Sequence, residues 1–279
     1  MRPRLFLIAC ALFAASTGTV SCGSQSGDPH SNNGVPNVGG RDKRIREIGD
    51  PTLEGHAAFV STTQPVSGAV VIAVDSFDET QNGKGTGTVY VQDIGATKDT
   101  PYAGISLFGT TYSPGNLAVA PGDVLDLRGE YQENQRIPST PPVIFAPGAV
   151  LPQMALPVAT FRYETQQPEP IDIDIADLTD YAKARRWFGM LVRVKNITIP
   201  NTPFAGTTGR LSIDLPPAIQ AAANACDLPF PKTASLVNDL MDLGALQIKK
   251  DTKIAEIVGV VGFFCNFKLV PRSSADIKL

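Results

Sequence analysis

Histidine is nearly absent from the 279-residue chain: His30 and His56 are the whole supply. So few imidazoles do not assemble a Cys/His zinc site or a Ser-His-Asp triad. The four cysteines, at 10, 22, 226 and 265, include no C-x-x-C pair, which leaves no redox dithiol or zinc ribbon to read. Basic charge is also short, with 24 Lys and Arg against 27 Asp and Glu. Removing Arg2 and Arg4 with a leader makes the balance more acidic, away from the surplus that phosphate neutralisation needs. The apolar run over residues 5–15 is well short of the about 20 residues of a bilayer-spanning helix.

What that run has instead is the setting of an export signal. Arg2 and Arg4 precede it, and residues 16–21 are small or polar up to Cys22. Thr19-Val20-Ser21 before Cys22 fits lipoprotein processing, in which the thiol takes a diacylglyceryl group before the bond on its N-terminal side is cut. The sequence therefore predicts a signal peptide over 1–21 and lipidation of Cys22, which makes the membrane a partner. Thr19 stands where Leu is usual, and an ordinary signal with a bystander cysteine is the alternative. A second match, Leu7-Ile8-Ala9-Cys10, would leave too short an apolar core for export. Gly23, in place of Asp, points to outer-membrane delivery. Residues 22–50 start rich in Gly, Ser, Asn and Pro and read as a flexible tether, with the mixed-charge run 41–47 as a solvated lead-in. Cys226 and Cys265 then remain as an even pair in an oxidising compartment and are expected to bond, the alternative being two buried thiols.

From residue 51 onward the pattern is β. Runs at 66–77, 87–93, 102–108, 123–131 and 143–150 are rich in Val, Ile, Tyr and Phe and are separated by Gly, Pro and Asn clusters. Val89-Tyr90-Val91-Gln92-Asp93 and Val124-Leu125-Asp126-Leu127-Arg128 alternate sides, as strands with one wet face do. Gln166 to Pro170 marks a break, giving domains over 51–167 and 168–279. The second repeats the first loosely: residues 189–195 resemble 68–74, 209–214 resemble 87–93, and 258–264 resemble 127–131. An insertion over 216–250 predicts a helix capped by Thr233, with Leu236, Val237, Leu240 and Met241 on one face and Gly244 at its end. The expected fold is mainly β, with two tandem OB-like five-stranded β-barrels, the second carrying a helical insertion.

Residues 89–93, 102–108 and 121–131, together with the ending 267–277, resemble the OB-fold domains that accompany secreted bacterial endonucleases and exonucleases. The resemblance implies an accessory binding domain with nucleic acid as its inferred ligand; no stretch of residues 1–279 reads as the phosphoesterase domain usually beside it.

Candidate ligand contacts are the aromatics Tyr90, Tyr131 and Phe145, whose planes can stack bases or sugars; Phe108 is a further stacking candidate for which core is the preferred reading. Arg185, Arg186 and Trp187 form a second candidate, with Lys183, Arg193 and Lys195 nearby. Charge weighs against a polyanion: residues 51–167 hold five basic and eleven acidic side chains, residues 168–279 thirteen and twelve. Asp75, Asp78 and Glu79 cluster without the spacing of a calcium loop, so no metal or other cofactor is expected. The sequence thus predicts a lipid-anchored envelope protein that acts by binding nucleic acid or oligosaccharide. A structural lipoprotein contacting other envelope proteins is the first alternative, and a metal-dependent phosphodiesterase the second.

Overall fold

A computed structural model describes residues 42–79, 81–83, 85, 87–139, 142–205, 210–218, 226 and 233–279. The expected signal peptide over 1–21, Cys22, His30 and most of the expected tether lie outside these residues. The protein is mainly β, and the break read at 166–170 falls between its two sheets.

Five strands of the first half close on themselves: β1 (Thr62–Val74), β2 (Val89–Asp93), β3 (Gly104–Phe108), β4 (Asp123–Asn134) and β5 (Leu151–Glu164). Their order around the ring is β1-β2-β3-β5-β4-β1, and every pairing is antiparallel except β3 with β5. Period-2 alternation fills the interior with Val89, Val91, Ile105, Leu107, Leu125, Leu127, Tyr131 and Met154. β1 reaches both neighbours because it bends: Val66 faces Leu127 but Ala69 faces Leu125, with Gly68 at φ +73° in between. Helix α1 (Ile45–Gly49) joins the same core through Ile45 and Ile48, both fully buried. The Asp93 carboxylate accepts the Ile45 N–H at 2.8 Å and the Arg46 N–H at 3.1 Å. This corrects the expected solvated lead-in: residues 45–49 pack on the barrel, because two isoleucines three apart share one face of a helical turn.

The second half holds helix α2 (Tyr181–Arg185) and strands β6 (Leu191–Thr198), β7 (Leu211–Asp214), β8 (Ser235–Val237), β9 (Lys253–Phe264) and β10 (Asn266–Val270). Their path is β7-β8-β10-β9-β6, again with one parallel pair, β8 with β10. Strand for strand this is the order of the first half without the closing pair, since β6 and β7 do not bond among the described residues. The helix expected from Thr233 is replaced by β8. All three of its residues are buried, and its ladders to β7 and β10 satisfy the backbone that a helix would otherwise use. The Asn266 side chain donates to the Thr233 carbonyl and to Ser235 Oγ, both at 2.9 Å. Cys226 and Cys265 have their sulfurs at bonding distance and their Cα atoms 4.4 Å apart, which ties the insertion to the β9–β10 turn.

The two sheets are packed together. Ile72 and Ala73 of β1 share a small core with Leu191, Val258 and Val260, and the fully buried Gln92 side chain accepts the Leu191 N–H at 2.9 Å.

Candidate ligand cleft

Alternation along the barrel strands dictates which side chains face outward. Because Val89, Val91, Ile105, Leu107, Tyr131 and Met154 point in, Tyr90, Ser106, Phe108, Gln132, Asn134 and Gln153 point out. They line a cleft of about 750 Å³ on the outer face of β2, β3, β5 and β4. Phe188 and Phe263 of the second half close one wall, and the hairpin of Arg136–Ile137 with Val143–Ile144 contributes Arg136 to the lining.

The polar floor is a ladder of amides. Gln132 Nε2 donates to Glu130 at 2.9 Å, which turns its oxygen toward Gln153 Nε2 at 2.8 Å and Asn134 Nδ2 at 3.4 Å. The oxygens of Gln153 and Asn134 have no protein donor among the described residues and are acceptors for a hydroxyl-bearing ligand. At the rim, Phe108 is 62% and Leu156 71% exposed. Leu156 is held at φ +49°, a left-handed backbone that costs an apolar L-residue on the order of 1–2 kcal/mol. The local cause is a bulge: pairing shifts between Arg128 and Glu130, and a Cβ on Gly129 would sit 2.8 Å from Met154 Cγ and from Pro157 Cα. Tyr90 has its pKa pushed above the usual phenol range by burial, then by Asp239 and Asp75, so its hydroxyl stays protonated.

The six candidate contacts scatter. Tyr90 lines the cleft. Tyr131 is fully buried inside the barrel and donates to Glu133 Oε1 at 2.8 Å, with His56 Nε2 on the same oxygen at 2.9 Å. Arg185 donates to that oxygen as well, so its charge is spent on Glu133. Phe145 is buried behind the cleft wall, edge-on to Phe263 at 5.0 Å. Trp187 is core, and the exposed Arg186 lies over its ring at 5.4 Å. Arg193 and Lys195 are neutralised on Asp172, so the basic run does not form a patch. Phe108, expected in the core, is at the surface because it follows the inward Leu107. Gln132, Asn134, Gln153 and Arg136 were not singled out from sequence, although strand parity with Tyr131 and Met154 was the signal that would have found the first three.

The acidic cluster disperses too. Asp78 accepts the N–H groups of Asn82 and Gly83 at 3.0 and 2.6 Å, and Glu79 pairs with Arg210 at 2.6 Å. Among the described residues no three His, Cys, Asp or Glu side chains are placed to hold a metal ion, and no helix is long and apolar enough to cross a membrane. Comparison with family models, with curated proteins and with solved structures found no match to this chain.

Proposed function

We propose that this is a lipid-anchored envelope protein, attached through Cys22, that binds oligosaccharide in the cleft on its first barrel. The observation that carries the reading is the amide ladder between exposed Phe108 and the aromatic wall. Hydrogen-bond acceptors flanked by apolar ring faces suit a ligand with hydroxyls on its edges and C–H groups on its faces. The OB-like assignment of both halves rests on the ring order β1-β2-β3-β5-β4-β1 with its parallel β3–β5 pair, and on the same path in the second sheet. OB barrels take oligosaccharides and oligonucleotides on the face of their second and third strands, where this cleft lies. Nucleic acid is the less favoured ligand, because Arg136 is the single cation among the described lining residues and the surrounding barrel is acidic.

Titration of the full-length protein in detergent against a glycan array and single-stranded DNA and RNA tests this. Saturable glycan binding is expected, weakened about tenfold or more by Phe108→Ala, in line with about 1–3 kcal/mol for a stacking contact. Binding only to nucleic acid, or to nothing, rejects the glycan reading. Mass spectrometry of the mature N-terminus tests the anchor, and an unacylated Cys22 would reject it.

A further inference from the structure

The cleft has a direction. Phe108 and Ala155 lie on one level of the β3–β5–β4 ladder, Ser106, Gln153 and Gln132 on the next, and Leu151 with Asn134 beyond them. Ala155 to Leu151 is four residues, about 13 Å at ~3.3 Å per residue, and Arg136 lies past Asn134 on the same chain. One end is thus apolar and exposed, with Phe108 and the left-handed Leu156. The middle is uncharged amide. The far end holds the Arg136 guanidinium, which has no ion-pair or hydrogen-bond partner among the described residues, unlike Arg185, Arg193, Arg210 and Arg272 of the second half.

From this order we infer that the cleft selects an acidic oligosaccharide, with a sugar carboxylate on Arg136, hydroxyls on the Gln153 and Asn134 oxygens, and the apolar face of another residue on Phe108 and Leu156. The inference rests on the cleft's being a glycan site and adds the charge and direction of the ligand. A guanidinium presents paired N–H donors that match a carboxylate's two oxygens, so a uronate is held by geometry as well as charge.

The test uses the full-length protein and tetrasaccharides that carry a single galacturonate, mannuronate or glucuronate at one end or the other, each beside its methyl ester, which keeps the backbone and removes the charge. At least one acid is expected to bind tenfold or more tightly than its ester, with the difference shrinking as salt is raised. Arg136→Gln should abolish the acid's advantage over its ester and the salt dependence of that advantage, and Arg136→Lys should restore part of the preference. Equal affinity for acid and ester in the wild type, with binding intact, overturns the acidic preference and leaves the glycan reading standing. Binding of neither form, together with a silent neutral array, overturns both.

Discussion

Gly104 and Gly189 meet backbone to backbone where the two sheets join. A Cβ on Gly104 would sit 2.6 Å from the Met190 nitrogen, and one on Gly189 would sit 2.7 Å from the Gly104 carbonyl carbon. Gly189 is also at φ +70°, a conformation that favours glycine. The contact lies beside the Gln92–Leu191 hydrogen bond and the Tyr102 N–H, which donates to the Arg186 carbonyl at 2.7 Å. Gly104→Ala must therefore push the sheets apart. We expect the variant to lose roughly 1–3 kcal/mol, the range for overpacking in a close-packed interior. In urea, wild-type protein should unfold in a single transition and the variant at a lower midpoint. An unchanged midpoint would show that the seam is loose.

Glu133 Oε1 collects Tyr131 from inside the barrel, His56 from the 3-10 turn His56–Ala58, and Arg185 from α2. Glu133→Ala strands a mostly buried guanidinium, and losing one partner of a buried pair costs on the order of 3–5 kcal/mol. Glu133→Gln keeps an acceptor oxygen and is expected to cost less. Thermal unfolding of the two variants side by side checks the ranking.

Burial raises the pKa of Asp93 from 3.8 to about 6, against the lowering effect of the N–H bonds from Arg46 and Ile45 and of the Arg44 and Arg46 charges. A folded-state value above the unfolded one means that this group's stabilisation is present in full below pH 4 and is lost as the pH rises through 6. Its share of the change is at most roughly 3 kcal/mol. Asp93→Asn should flatten the stability profile between pH 4 and 6 relative to wild type. Parallel profiles for the two proteins would refute this.

Reduction of the Cys226–Cys265 pair opens a loop of 39 residues' separation. Chain entropy puts the stabilisation at roughly 4 kcal/mol. The Cys226→Ser, Cys265→Ser double variant is expected to unfold at correspondingly lower urea, and dithiothreitol should lower the wild type's midpoint but leave the variant's where it is.

Much of the architecture was legible along the chain. The strand runs at 87–93, 102–108 and 123–131 correspond to β2, β3 and β4, because alternation and Gly/Pro punctuation are local signals. The segment after Thr233 misled for the same reason. Leu236, Val237, Leu240 and Met241 fit a helical stripe, but β7 and β10 offer Ser235–Val237 a buried ladder on both sides, and pairing across the chain overrode the local period. The cleft was legible only by halves: Tyr90 was singled out as a wet-face aromatic, whereas Phe108 was assigned to the core, its parity being visible only once Leu107 is known to point inward.

Composition and local pattern by themselves determined a β-rich chain in two parts, poor in imidazole and basic charge, with two cysteines late in the chain. Those properties belong to each residue and its near neighbours. Tertiary structure alone decided that Ile45 and Ile48 join the barrel core, that Arg185 is consumed by Glu133, and that Arg136 lies in a cleft without a partner among the described residues. Each of these depends on segments 20 to 130 residues apart being brought into contact, and no window of sequence contains both sides of such a contact.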